Sequence, residues 1–510
     1  MKNKKLLLLL FFVALKLALQ FISINSAYEL HRDEFLHLDQ ANHLAWGYLS
    51  VPPLTSWIAL LIKLLGNGVF WVKFFPALFG ALTLIVMWFI IEELNAGIYA
   101  QILAAVAFIF SATLRINTLF QPNSFEILSW TLFFFFLVKF ISTQNNKWLY
   151  WLGIVAGISF LNKYNLLFML MGLLPALLLT AQRKLFLNKH SYFAILLGLL
   201  IVLPNILWEF NNGWPVMRHL KELSDTQLVN VKRSAFLVEQ ALFFIGAEYL
   251  LMGALIAFVV YKPFRPYRAV GLGFIFTIAI YTYFKAKGYY AIALYPVLLC
   301  FGAVYWERLF SLGWKRYLKI LWPAVTIGLF VLVIRFVLPI LSPEQVVANE
   351  AKFKKLGLLR WEDGKDHALP QDFADMLGWK EMTEKTIKAY EQIPASEKSK
   401  TLILCDNYGE AGAINFYSNG KLPAAVSFSA DYLTWFPEMD SVKYLINVGI
   451  EIDSSWQKNF GAPVFSDSVS NKFSREYLTA ISVLPVVDPT FTEKINAEVK
   501  KRRKESLSSK

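Results

Sequence analysis

Two cysteines in 510 residues leave no basis for a disulfide framework. Cys300 sits inside an apolar run and Cys405 in a polar C-terminal region, settings too unlike to pair. No zinc-protease signature is present. No internal repeat recurs at solenoid or propeller periods, which excludes the repeat architectures. Charged residues make up only 17% of the chain and hydrophobic residues 56%, so a soluble reading fails. The net charge of +13 comes with no nucleic-acid-binding motif. It resides in short basic connections and in a basic tail from Lys500 to Lys504, so no nucleic-acid partner is expected.

What fills the chain instead is apolar sequence of bilayer length. Such stretches recur at about 6–25, 69–91, 98–114, 123–142, 148–162, 164–181, 191–209, 234–260, 269–284, 288–306 and 320–341. Crossing a bilayer takes about 20 residues, which gives about eleven expected transmembrane helices, with the pair around Asn162-Lys163 the shortest. The 16% aromatic content suits belts at the two membrane surfaces. The first stretch is longer than a signal-peptide core and is interrupted by Lys16, so it is read as a retained helix. Lys2, Lys4 and Lys5 before it favour a cytoplasmic N-terminus. Alternation from there places three basic connections inside: Arg183-Lys184 to Lys189, Lys262 to Arg268, and Arg308 to Lys319. Each satisfies the positive-inside rule independently.

An odd number of spans puts everything after Pro343 outside. There the chain turns to β-branched runs, Thr401-Leu402-Ile403-Leu404-Cys405 and Tyr444-Leu445-Ile446-Asn447-Val448, alternating with helical stretches at 371–377 and 381–390. The expected organisation is a multi-span α-helical membrane domain over 1–343 and an extracytoplasmic α/β domain over 344–510. An outer loop at 26–68 lies within the first. Part of it, 54–65, is apolar but too short to span, and reads as an interfacial helix.

That loop opens on an acidic pair, Asp33-Glu34, with His37 and Gln40 on the same helical face as Asp33. A carboxylate held at a membrane surface suits a general base acting on a hydroxyl or amine. A solvated helix start, where acids are favoured, explains the pair equally well. His31, His37, Asp39 and His43 include a spacing that suits a metal, but without a recognised signature they read as surface residues; no cofactor is expected, and a divalent metal has no support. A second group is cationic. Arg115, Lys163, Lys285, Lys287 and Arg218 all fall at the outer face, where lysine and arginine are less favoured. Such a cluster suits a lipid phosphate; the bland alternative is that each snorkels to its own interface. Glu126 just inside the following span, Asn123 before it, and Tyr290 and Tyr295 at one bilayer entrance complete the candidate substrate contacts.

Taken in order, these stretches resemble the bacterial membrane glycosyltransferases of family 39, the protein O-mannosyltransferase-like proteins. More distantly they are similar to the lipid A aminoarabinose transferases, all of the GT-C class. The resemblance rests on Asp33-Glu34 with Ala45-Trp46-Gly47-Tyr48 and Pro52-Pro53-Leu54; on Gln121-Pro122-Asn123; and on Leu161-Asn162-Lys163-Tyr164. It continues through Leu203-Pro204-Asn205 to Trp208, Asn212-Gly213-Trp214-Pro215 with Arg218-His219, and Lys287-Gly288-Tyr289-Tyr290 with Tyr295-Pro296. In the tail, Asp406-Asn407-Tyr408-Gly409-Glu410 looks like the soluble domain of one bacterial subgroup.

The resemblance implies transfer of a sugar from a polyprenyl-phosphate donor to an envelope lipid, glycan or protein, by an inner-membrane enzyme with a periplasmic C-terminal domain. It makes Asp33 the candidate base and assigns the carrier phosphate to Lys163, then Arg115 and Lys287. Two departures stand out: Asn123 replaces an acidic residue common in relatives, so that role either falls to Glu126 or is absent, and Val51 replaces a lysine or histidine. The alternative class, a transporter or flippase of a lipid-linked substrate, calls for paired half-sequences, and none is found.

Overall fold

The computed structural model describes residues 2–311 and 313–507. They form two compact units, each assembled from separated pieces of chain. The first comprises residues 1–24, 70–207 and 220–340; the second comprises 25–69, 208–219 and 341–510.

The first unit is helical. Among the described residues, six helices are long and apolar enough to cross a membrane: Asn3–Ile22, Val69–Glu93, Pro122–Thr143, Lys189–Asn211, Gly288–Phe310 and Leu318–Val337. A seventh results if the bent pair Leu166–Leu178 and Ala181–Leu187 counts as one. The other expected stretches fold as shorter helices. Ile98–Ile109 has 12 residues, Lys147–Asn162 has 16 and Arg268–Tyr283 has 16. The stretch at 234–260 is split into Arg233–Leu242 and Glu248–Val260, with Gly246 at φ +81° between them. Hydropathy registers apolar content but not such a break, so the expectation of eleven full-length helices exceeds what length supports. At 1.5 Å per residue, 16 residues reach about 24 Å, short of a hydrocarbon core of about 30 Å.

The outward residues of this unit are as apolar as the inward ones. Ile195, Leu196, Leu199 and Leu200 are exposed along one helix, and Ile320 and Leu332 along another. In water such surfaces would drive association; against lipid they are the required solvent-facing side. Inside, helices approach through glycine. A Cβ on Gly153 would lie 2.1 Å from the carbonyl oxygen of Ala194, and one on Gly302 would lie 2.0 Å from that of Leu250. Backbone-to-backbone packing of this kind is how membrane helices gain contact without a hydrophobic driving force. Gly153→Val should therefore force its helix away from Lys189–Asn211 and lower stability by about 1–3 kcal/mol. A thermal melt in detergent measures this, and an unshifted midpoint would show that the close contact is dispensable.

The second unit contains a five-stranded sheet. Its strands are β1 (Thr401–Cys405), β2 (Ala425–Ser427), β3 (Tyr444–Val448), β4 (Phe465–Ser468) and β5 (Ala480–Pro485), in the order β2-β1-β3-β5-β4. β1 pairs parallel with β2 and with β3, while β5 runs antiparallel to both β3 and β4. The two runs read from the sequence as strands are β1 and β3. Every residue of β1 is buried, as a central strand covered on both faces requires. Leu402 and Leu404 point to one side, into a cluster with Leu445, Phe491, Ile495 and Val499. The helix Tyr408–Tyr417 joins β1 to β2 as a crossover. Against it lies the helix Arg32–Gln40, with Phe35 seated on Gly412 and its ring 5.7 Å from that of Trp379. The segment expected as an outer loop thus packs with the C-terminal α/β segment in this unit. The apolar run at 54–65 is the helix Leu54–Leu64, which buries Ala59 and Ile62 and exposes Leu61 and Leu64.

Candidate functional site

In the helical unit, four of the expected residues meet at Lys163. The helix Lys147–Asn162 ends there in extended backbone. The Lys163 ammonium donates to Asn123 Oδ1 at 2.8 Å and to Glu126 Oε2 at 3.1 Å. It also lies 4.7 Å from the ring centre of Tyr290 and 5.4 Å from that of Tyr289. Asn123 and Glu126 project from the first turns of Pro122–Thr143, where the helix dipole favours negative charge. Glu126 is 1% exposed, and a carboxylate so placed in an apolar unit requires partners. Its second oxygen accepts from Asn165 Nδ2 at 2.7 Å, and Asn165 is itself held by the Tyr281 hydroxyl at 2.7 Å. Asn162 donates to the carbonyl of Pro122, tying the two helix ends together. An ammonium has three protons to give. Asn123 and Glu126 take two, and the aromatic faces border the ammonium. The arrangement is a preorganised cation that can accept an anionic oxygen.

Asn165 and Tyr281 were not singled out from the sequence. The signal lay in Lys163-Tyr164-Asn165, where polar residues flank the lysine between apolar runs. Tyr295 is buried, stacks on Phe244 at 4.8 Å and donates to Gln240 at 3.0 Å. Arg115 is buried in the short helix Thr113–Ile116 and donates to Thr118. Lys285 takes a left-handed turn at φ 53°, and Lys287 precedes the turn Gly288–Leu294. Arg218 belongs to the second unit, donating to the carbonyls of Asn212 and Glu505.

The acidic pair divides into two different jobs. His31 caps the helix Arg32–Gln40 and accepts from the Asp33 amide at 3.2 Å, while the Glu34 carboxylate accepts from the His31 amide at 2.7 Å. This is a reciprocal capping box, and Glu34 is fully buried in it. Asp33 is half-buried and accepts from the Tyr408 hydroxyl at 2.7 Å. Arg32 lies 4.5 Å from the Tyr408 ring centre and donates to Asn407. Burial pushes the Asp33 carboxyl up, but His31, Arg32 and the Tyr408 hydroxyl together hold it below the usual carboxylate range. It is therefore ionised at neutral pH. His37 is buried, which depresses its pKa, and its ring bonds to Gln40 at 3.1 Å.

The residues whose spacing suits a metal have other partners in this structure. Asp39 is taken up by Asn42, Asn415 and Tyr432, and His43 stacks on Trp435 at 4.4 Å. Among the described residues no three His, Cys, Asp or Glu side chains group as metal ligands.

The family described as dolichyl-phosphate-mannose-protein mannosyltransferase matches residues 50–208, a stretch that contains Asn123, Glu126 and Lys163. The lipid A galacturonosyltransferase RgtD of Rhizobium johnstonii is 23% identical over 247 residues, which are 45% of this chain and 50% of that protein. The chain thus spans about half the length of this curated relative. Among solved structures, ArnT from Cupriavidus metallidurans bound to undecaprenyl phosphate superposes with a TM-score of 0.62 at 13% identity, covering 94% of this chain and 98% of that one. The archaeal oligosaccharyltransferase AglB from Archaeoglobus fulgidus, in complex with an inhibitory peptide and a dolichol-phosphate, gives a TM-score of 0.51 at 12% identity, covering 88% of this chain and 69% of that one. The chain has the fold of these membrane enzymes, a GT-C-like multi-span helical part with a C-terminal sheet domain, and it is a multi-pass membrane protein.

Proposed function

We propose that the protein is a membrane glycosyltransferase that moves a sugar from a polyprenyl-phosphate carrier to an envelope acceptor, whether lipid, glycan or protein. The observation that carries this reading is the Lys163 cluster: a cation set among Asn123, Glu126 and Tyr290 inside the stretch that the mannosyltransferase family matches. A phosphate oxygen is the anion such a cation recognises in a lipid carrier. In the reaction, an acceptor oxygen bonds to the anomeric carbon as the bond from that carbon to the phosphate oxygen breaks. Lys163 holds the departing polyprenyl phosphate, and Asp33 receives the acceptor proton. Arg115, Lys285, Lys287 and Arg218 are secondary candidates for the phosphate, and His37 for the acceptor. The transport alternative gains nothing from the matches, since the matched family, RgtD and AglB are all described as transferases.

We further place the protein in the bacterial inner membrane, with a cytoplasmic N-terminus and the C-terminal segment in the periplasm. The three basic connections support this orientation. Three experiments test the proposal. Purified protein given polyprenyl-phosphate-linked sugars should release polyprenyl phosphate in the presence of envelope extract, and a deletion strain should lose one glycosylated envelope species by mass spectrometry. A reporter fused at Lys510, which lies outside the described residues, should be active only if it needs the periplasm. Activity of a cytoplasmic reporter there would overturn the orientation, and failure of every lipid-linked donor would overturn the activity.

A further inference from the structure

The parallel part of the sheet has a reversal in it. From β1 the chain crosses to β2 on one side, then returns to lay down β3 on the other. In open α/β sheets the crevice at the carboxyl ends of two such strands is where ligands bind. Here those ends are Asp406-Asn407-Tyr408 after β1 and Gly449 after β3. They are drawn together by the Asp406 amide, which donates to the Val448 carbonyl at 2.9 Å. Gly449, at φ +77°, leaves room for the Glu410 carboxylate, which closes on the amides of Asp406 and Asn407; a Cβ there would lie 2.7 Å from Glu410 Oε1.

What this crevice presents is Tyr408, the first residue of a ten-residue helix, with its hydroxyl on Asp33. The contact joins residues 375 positions apart, both within the second unit. Asn407 beside it takes the Arg32 guanidinium, which covers the Tyr408 ring. We infer that Tyr408 is a positioning residue for Asp33, and that the ligand-binding edge of the C-terminal sheet thereby takes part in transfer to the hydroxyl of the acceptor. The inference rests on the reading of Asp33 given above.

The groups facing Asp33 are His31, Arg32 and His37 on its own segment, Tyr408 on the sheet side, and Asp375, a second carboxylate whose pKa Asp33 helps to raise. Asp375 and Glu476 act on Arg32, and Arg475 pairs with Asp375 at 3.1 Å. Among the groups that favour the carboxylate, the Tyr408 hydroxyl is the one that one substitution removes without changing net charge. Tyr408→Phe keeps the ring beneath Arg32 and deletes the donor. The Asp33 carboxyl then rises, so the acidic limb of the rate–pH profile should move upward by about half to one pH unit. The turnover number should fall several-fold, with KM for the lipid-linked donor unchanged.

Tyr432→Phe is the control. It removes a hydroxyl that donates at 2.7 Å to Asp39, another carboxylate on the same helix. A purely structural role for Tyr408 predicts that the two variants behave alike. An unmoved limb in Tyr408→Phe, or the same shift in Tyr432→Phe, overturns the inference. If Tyr408→Phe does not fold, Tyr408→3-fluorotyrosine keeps the shape and strengthens the donor. The limb then moves to lower pH, and an unmoved limb again overturns the inference. Asp33→Asn is assayed in parallel: activity there sinks the role of Asp33 itself, whereas inactive Asp33→Asn beside an unaltered Tyr408→Phe sinks only the role of Tyr408.

Discussion

Asp33→Asn should abolish sugar transfer while leaving a folded protein. Asparagine keeps an acceptor oxygen for the Tyr408 hydroxyl at 2.7 Å and keeps the helix start intact, so only the negative charge is lost. Removal of a general base typically costs about 10²–10⁴ in rate. The neighbouring Glu34 offers an internal contrast. Its carboxylate is buried and committed to the His31 amide, a task that glutamine performs at the same capping position. Glu34→Gln should therefore retain most activity. Transfer of labelled sugar by purified variants, with melting curves to verify folding, measures both. Wild-type turnover by Asp33→Asn would remove the assignment, and inactivity of a well-folded Glu34→Gln would shift the base to the second carboxylate.

The acidic pair shows what the sequence reveals and what it hides. Acids at a helix start were legible, and the helix does start at Arg32. That one carboxylate is an internal cap and the other faces a tyrosine far along the chain was not, because periodicity carries no information on contacts at such separation. The strands at 401–405 and 444–448 were legible from their β-branched runs. Their order, and with it the crevice that presents Tyr408, follows from pairing partners that no local pattern specifies. The lysine cluster was half legible. Lys163, Asn123, Glu126 and Tyr290 were each marked by being polar at the edge of an apolar run, which is costly without a purpose. Their convergence was not visible, nor was the burial of Tyr295. In the membrane part, apolar composition located most helices within a few residues. It overcounted full-length ones because a window average passes over a glycine break such as Gly246.

The Lys163–Glu126 pair makes the phosphate assignment testable in a way that a single substitution does not. Lys163→Met removes the cation but leaves Glu126, 1% exposed, without its ion-pair partner in an apolar unit. Breaking a buried pair on one side costs about 3–5 kcal/mol, a large share of a total stability of about 5–15 kcal/mol. The single variant should therefore melt early and be recovered poorly, whatever Lys163 does for the ligand. Adding Glu126→Gln removes the orphaned charge and keeps a carbonyl oxygen for Asn165, so the double variant should regain most of the lost stability. Its binding of polyprenyl phosphate should remain weak. One charge-assisted hydrogen bond is worth about 1.5–3 kcal/mol, or roughly 10- to 100-fold in affinity. Titration of polyprenyl phosphate against the double variant in detergent separates the two roles of the lysine. Restored folding with undiminished affinity would leave Lys163 as the counter-ion of Glu126 and nothing more, and the carrier phosphate would have to be held by another cation, with Lys287 and Arg115 the first to examine. Restored folding with affinity still lost is the expected result, because among the described residues Lys163 is the cation that the structure sets between a carboxylate, an amide and two aromatic faces.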